Sequence, residues 1–289
     1  MFEKKEFFKC VDNNLIKIKG IDKFDFIQGI ISNDINILKK KTSIFSSILT
    51  PQGKFLYDFF IVNYNDHLYL ECNYKNTNEI LQKLKLYKLR SRVEFEVDRN
   101  LIILLTNEEN SSKIRKLCEN TSLDFFDPRF NKFFKRIYLD KIYLEKINNH
   151  LDFLEVEKKI YDQKRIENSI PDFLLDSFKQ KSLLMEMRFD ELNGISWDKG
   201  CFLGQEITAR MKYRNIIKKK LAFISINFNS RLDTQIKCND KIIGSLHSHT
   251  NNFGIGYVNT DFLKIKNKGE IICGDSILEI SNPWWSESN

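Results

Sequence analysis

The run Lys199-Gly200-Cys201-Phe202-Leu203-Gly204-Gln205-Glu206, continued by Ile207-Thr208-Ala209-Arg210, places an amine, a thiol, an amide, a carboxylate and a guanidinium within twelve residues. Packing alone would not select that mixture; a reactive or ligand-binding loop would. Gly200 and Gly204 bracket Cys201, so the backbone can turn tightly there and leave the sulfur without bulky cover. From Leu203 the residues favour helix, with Ile207 and Met211 on one face and Glu206 and Arg210 spaced as an i,i+4 surface pair. Cys201 then sits just before a helix N-terminus with Lys199 beside it. Helix dipole and ammonium both favour the thiolate, the form that reacts or binds metal. Lys199 and Cys201 are therefore the candidate reactive pair, whereas Cys10, Cys72, Cys118, Cys238 and Cys273 read as buried packing residues.

The elements that must position these groups follow from periodicity and turn residues. Leu15-Ile16-Lys17-Ile18-Lys19 alternates and stops at Gly20, a strand, and Asp22 then caps a short helix to about Ser32. Thr50-Pro51-Gln52-Gly53-Lys54 joins two β-prone runs, residues 43–49 and 55–63, as a hairpin. A strand at 68–72 precedes a helix from about Thr77, another strand is expected at 101–105, a short helix at 111–118, and residues 148–166 are helical in character. Strand, helix and hairpin in this order argue α+β. After the basic cluster 214–220 the composition changes to short alternating runs at 221–228, 241–246, 254–259 and 270–273, the signature of a small all-β module. The expected division is 1–215 and 216–289. Trp284-Trp285 is expected to pack that module or touch a partner.

Length and charge narrow the classes. A chain of 289 residues buries a sizeable core and suggests two compact units, with room for a third. The net charge of +7 comes from lysines spread over the whole length. The dense runs Lys39-Lys40-Lys41 and Lys218-Lys219-Lys220 are not interleaved with the aromatic platforms that single-stranded nucleic acid needs, so nucleic acid is not an expected partner. The six cysteines have no zinc or redox spacing. Residues 1–6 do not resemble a leader, and no window offers the roughly twenty apolar residues of a membrane span. The expectation is a cytoplasmic protein with reduced thiols and no membrane contact.

The motif resembles the signature of the YgfZ family, folate-binding proteins of iron-sulfur enzyme maturation related to the aminomethyltransferase of the glycine cleavage system. Further segments resemble that family in order: Phe26-Ile27-Gln28-Gly29 with Asp34, Thr50-Pro51-Gln52-Gly53-Lys54 with Asp58, Arg165-Ile166-Glu167 with Pro171, and Met185-Glu186 with Leu192-Asn193-Gly194-Ile195-Ser196-Trp197. The chain departs from the pattern at Asn168, Leu184, Arg188 and Phe202, where the family has Gly, Pro, Asn and Tyr. The resemblance implies an α+β fold of two ferredoxin-like, aminomethyltransferase-type subdomains around a central opening plus a C-terminal small β-barrel. It implies tetrahydrofolate as cofactor, with Arg165, Glu167, Glu186, Gln205, Glu206 and Arg210 as candidate binding residues; carboxylates such as Glu167 and Glu186 accept from pterin N–H groups. It implies no permanently bound metal, Cys201 serving as a transient cluster ligand, and an iron-sulfur scaffold or carrier protein as partner, with tRNA-modification enzymes as candidate clients. Such clusters usually take four protein ligands, so a lone thiolate needs a partner's ligands. Two other readings stay open. One is a folate-dependent one-carbon transferase, for which the stretch 73–83 supplies only Glu79 as an acidic group. The other is a tRNA-binding accessory using Lys212, Arg214 and residues 218–220.

Overall fold

Two five-stranded sheets organise the N-terminal part of the computed structural model, which describes residues 1–119, 121–229, 231–264 and 269–286. In chain order the elements are β1 (Glu6–Lys9), β2 (Asn13–Lys19), α1 (Lys23–Gln28), β3 (Ser43–Leu49), β4 (Phe55–Tyr64), β5 (His67–Asn73), α2 (Tyr74–Lys88), β6 (Glu94–Asp98), β7 (Leu101–Thr106), α3 (Glu108–Leu117), β8 (Leu123–Phe126), β9 (Lys135–Asp140), α4 (Tyr143–Leu151) and β10 (Leu154–Glu155). One sheet runs β3-β4-β5-β2-β6 and the other β10-β1-β7-β9-β8, antiparallel except where β1 pairs with β10. Contacts divide the chain into two compact units interleaved in sequence: Met1–Leu49, Leu56–Lys158 and Leu192–Leu203 form the first, and Thr50–Phe55, Lys159–Glu191 and Gly204–Asn289 the second.

In the first unit both faces of each sheet are covered, and strand parity decides which residue goes where. Ile16, Ile18, Leu68 and Leu70 join Ile27 of α1 and Ile80 and Leu84 of α2 in one core. Leu104, Ile137 and Leu139 pack with Ile114 of α3 and Ile147 of α4 in another. The opposite parity, Leu15, Val62 and Tyr69 from one sheet and Ile103 and Tyr138 from the other, forms a third cluster between the sheets.

Three local expectations are corrected. The helix expected through 148–166 is broken: Asp152 takes a left-handed φ of 47° that ends α4, Phe153 is buried, and β10 pairs with β1 before α5 (Lys158–Glu167) begins. Asp22 does not cap α1 with its side chain; its carboxylate accepts from Arg92 N at 2.7 Å and from the Arg92 guanidinium. α2 starts at Tyr74 rather than Thr77, because the Asn73 side chain accepts from Lys75 N at 3.0 Å and caps the helix there.

The second unit contains α5, α6 (Gln205–Arg214) and a closed barrel of β11 (Lys219–Asn227), β12 (Gln235–Cys238), β13 (Lys241–His249), β14 (Phe253–Asn259), β15 (Ile271–Cys273) and β16 (Ser276–Ser281), with α7 (Thr260–Lys264) after β14. Barrel order is β11-β14-β13-β12-β15-β16, and closure leaves no open sheet edge. Alternate residues such as Ala222, Ile224 and Ile226 fill the interior with Ile236, Ile243, Val258 and Leu278. The indole N–H groups of Trp284 and Trp285 donate to Asn168 O and Ser169 O, fastening the chain after β16 to the turn that follows α5. Among the described residues no helix is long and apolar enough to cross a membrane.

Candidate functional site

The Cys201 segment is laced onto the turn that follows α1. Ser32 Oγ donates to Gly194 O at 2.7 Å, Asn33 Nδ2 to Asn193 O at 2.8 Å, and Ser196 N to Ser32 O at 3.1 Å. Leu203 N donates to Gly29 O at 3.1 Å. Between these anchors Lys199 Nζ donates to Gln28 O at 2.7 Å, Ile31 O at 2.7 Å and Asn33 O at 2.9 Å, with the Phe202 ring centroid 5.0 Å away. Gln28 and Asp34 close the same turn: Gln28 Nε2 donates to Asp34 Oδ1 at 3.0 Å and Gln28 Oε1 accepts from Ile35 N at 2.9 Å. Burial pushes the Lys199 amine down to about 8, with Asp34 pulling the other way. Asp34 is pushed up by burial, but hydrogen bonds from Asn36 and Gln28 and the charge of Lys199 outweigh this and hold it below the usual carboxylate range.

Cys201 is exposed, while Cys72, Cys118, Cys238 and Cys273 are buried and Cys10 is half-buried. Burial pushes the Cys72 thiol up to about 12 and that of Cys118 to about 11, which removes both as nucleophiles near neutrality. The two glycines of the motif differ. Gly204 has φ +80° and needs to be glycine, whereas a Cβ on Gly200 would meet nothing within 4 Å and its φ lies outside the left-handed region. Only Gly204 therefore needs the backbone freedom of glycine; at Gly200 a side chain would meet open space.

The remaining candidate residues lie in the second unit. α6 begins at Gln205, half-buried, after the left-handed Gly204, whose carbonyl oxygen would lie 2.7 Å from a Cβ on Gly53. Glu206 and Arg210 are exposed on α6, and among the described ion pairs they do not meet, so the expected i,i+4 pair is absent. Arg165 is buried on α5; Nε donates to Asp162 at 2.8 Å, and the two terminal nitrogens to Asp176, Ile170 O and Ser248 Oγ. Glu167 is exposed at the end of α5 and accepts from Gln163 Nε2 at 2.8 Å. Glu186 lies 3.7 Å from Lys219 Nζ, and burial raises its carboxyl above the usual range against the pull of Lys219 and Lys54.

A charged network that sequence reasoning missed lies between the sheets of the first unit. Glu71 Oε2 accepts from Tyr138 OH at 2.6 Å, and Glu71 Oε1 from Asn13 Nδ2 at 2.6 Å and from Arg136. Arg136 Nε continues to Asp127 Oδ2 at 2.9 Å, and Asp127 accepts from Arg129 through two further bonds at 3.0 Å. Burial pushes the Asp127 carboxyl up, and the charges of Arg129 and Arg136 reverse this and hold it low. The Arg129 guanidinium lies over the rings of Phe45, Phe60 and Phe130. Asp127, Phe45 and Phe130 also line a cleft of about 820 Å³, together with Phe126, Trp197, Lys41 and Lys132. The signal in the sequence was a carboxylate inside the apolar run Leu68-Tyr69-Leu70-Glu71-Cys72, at the parity of Tyr69.

No protein-family model matches the chain. Curated relatives do. The chain is 26% identical over 233 residues to the iron-sulfur cluster assembly factor IBA57 homolog, mitochondrial, of Coccidioides immitis, an alignment covering 74% of this chain and 55% of that protein. It is 25% identical over 235 residues to the tRNA-modifying protein YgfZ of Hamiltonella defensa, covering 74% of this chain and 68% of that one. Among solved structures, aminomethyltransferase T of the glycine cleavage system from Bartonella henselae superposes with a TM-score of 0.80 at 14% identity, covering 98% of this chain and 86% of that chain. The chain is thus similar to proteins named IBA57 and YgfZ over about three quarters of its length. The aminomethyltransferase likeness establishes the fold: mixed α and β with a closed six-stranded C-terminal barrel, as the sequence resemblance implied. The chain spans little more than half the length of the first YgfZ/IBA57 relatives it matches, 55%, 56% and 52%.

Proposed function

We propose that this protein is a tetrahydrofolate-binding accessory factor in the assembly or maintenance of 4Fe-4S proteins, acting through Cys201 together with a scaffold or carrier protein. The observation that carries the reading is the single exposed thiol among six cysteines, held on a doubly anchored turn in a chain similar to proteins named IBA57 and YgfZ. Among the described residues no three His, Cys, Asp or Glu side chains gather where they could hold a metal ion. On this reading the cluster is cargo: Cys201 offers one ligand or a redox thiol, and the partner completes the set.

The candidate folate contacts all belong to the second unit. Glu186 and Glu167 are proposed as acceptors for pterin N–H groups, with Gln205, Glu206 and Arg210 as further contacts. Arg165, spent on Asp162 and Asp176, would shape the segment carrying Glu167. We place the function in residues 1–215, with 216–289 as a supporting barrel, and in the cytoplasm. The tRNA-modifying name of a relative supports tRNA-modification enzymes as clients.

The test is anaerobic. A cluster-loaded carrier, an apo 4Fe-4S enzyme and the purified protein are mixed with and without tetrahydrofolate, and enzyme activation is timed. Faster activation that needs Cys201, and saturable folate binding weakened by Glu186→Ala, are expected. Activation unaffected by Cys201→Ala removes the proposal. Folate-dependent transfer of one-carbon units by the purified protein would replace it with the transferase reading.

A further inference from the structure

We infer that Lys199 is the positioning residue for Cys201: its ammonium fastens the thiol-bearing turn to main-chain carbonyls at the end of α1 rather than acting on the sulfur. The inference rests on Cys201 being the acting group and concerns how that group is presented.

An ammonium has three N–H groups and no acceptor. Lys199 places its nitrogen 2.7, 2.7 and 2.9 Å from the oxygens of Gln28, Ile31 and Asn33, so all three donors are committed to main chain. Those oxygens lie at and just beyond the C-terminus of α1, where helix carbonyls lack intrahelical partners and the dipole favours a cation. The last turn of α1 has no basic residue of its own, so a lysine from a distant part of the chain supplies the charge. Leu203 N, donating to Gly29 O at 3.1 Å, ties the other side of the turn to the same place. Cys201 is thus two residues from an anchor on each side, with open space at Gly200 and the thiol exposed. Convergence of three oxygens on one point suits a compact ammonium; a guanidinium spreads its donors over a planar fork and fits such a pocket poorly.

The experiment measures hydrogen exchange at the Leu203 amide and the pH profile of Cys201 alkylation by iodoacetamide, in wild type, Lys199→Met and Lys199→Arg. In Lys199→Met, protection of Leu203 is expected to fall by about ten-fold or more while amides of β5 keep theirs, as local opening requires. The midpoint of the alkylation profile is expected to stay where it is in wild type, which separates positioning from electrostatic activation. Lys199→Arg, which retains charge and donors, is expected to restore part of the Leu203 protection. Unchanged Leu203 protection in Lys199→Met overturns the inference, as does a rise of the alkylation midpoint by about one unit, the size expected if the ammonium stabilised the thiolate. If Lys199→Met does not fold, Lys199→Gln, with two N–H donors and no charge, is read by the same criteria. Neither readout needs cluster or folate activity, so failure here leaves the proposed function standing.

Discussion

Replacing Glu71 by Ala should be among the most costly changes in the first unit. The Glu71 side chain is fully buried, and it accepts from Tyr138, Asn13 and Arg136, the last a cation whose own side chain is only 4% exposed. Without it, Arg136 keeps Asp127 but loses half of its neutralisation, and the Tyr138 hydroxyl and Asn13 amide lose their acceptor. Breaking a buried pair from one side costs about 3–5 kcal/mol; because Asp127 remains, the lower end, about 3 kcal/mol, applies. At about 2–4 °C per kcal/mol for a protein of this size, the melting temperature should fall by about 6–12 °C in differential scanning calorimetry. Tyr138→Phe removes one hydrogen bond to the same carboxylate and should cost about 1.5 kcal/mol. The double variant Glu71→Leu/Arg136→Met exchanges the pair for apolar volume and should recover at least about 1 kcal/mol relative to the sum of its single variants. A Glu71→Ala protein within about 0.5 kcal/mol of wild type would refute the reasoning, because that is the range of a surface substitution.

The glycines of the motif should separate cleanly. Gly204→Ala forces a side chain into φ +80° at a cost of about 1–2 kcal/mol, Gly53→Ala adds a 2.7 Å approach to Gly204 O and should cost more, and Gly200→Ala should stay within about 0.5 kcal/mol. Melting temperatures check the order, and a Gly200→Ala loss equal to that of Gly204→Ala contradicts it. Native alkylation at neutral pH, read by peptide mapping, should modify Cys201 well before Cys72 and Cys118, whose thiols burial holds near 12 and 11. Asp34 has a folded-state pKa below its unfolded value, so its contribution to stability is present above the unfolded value and lost as pH falls through the folded one. Asp34→Asn should therefore flatten the acid limb of the stability profile, measured by urea midpoints from neutrality down, and an unchanged limb would show that other carboxylates carry it.

Much of the fold was legible because its strands alternate: Leu15 to Lys19 and Leu221 to Asn227 display parity that only a sheet with one defined core face produces. The exposure of Cys201 was legible because the flanking glycines and charges leave it no apolar cover. The contacts of Lys199 were not legible, since the carbonyls it donates to belong to residues 28–33 and sequence spacing carries no information on such long-range approach. The Glu71, Arg136 and Asp127 network was missed for the same reason: each charge looks ordinary in its own strand or turn, and only the pairing of two sheets joins them. The break after Leu151 was missed because Phe153 is held by tertiary burial that no helical period reports.

The most direct test of the account is made in cells lacking the native protein and supplied with wild type or Cys201→Ala at equal abundance. Wild type is expected to restore the activity of 4Fe-4S enzymes and Cys201→Ala is not, while enzymes without such clusters are unaffected by either. Full restoration of 4Fe-4S activity by Cys201→Ala would contradict it.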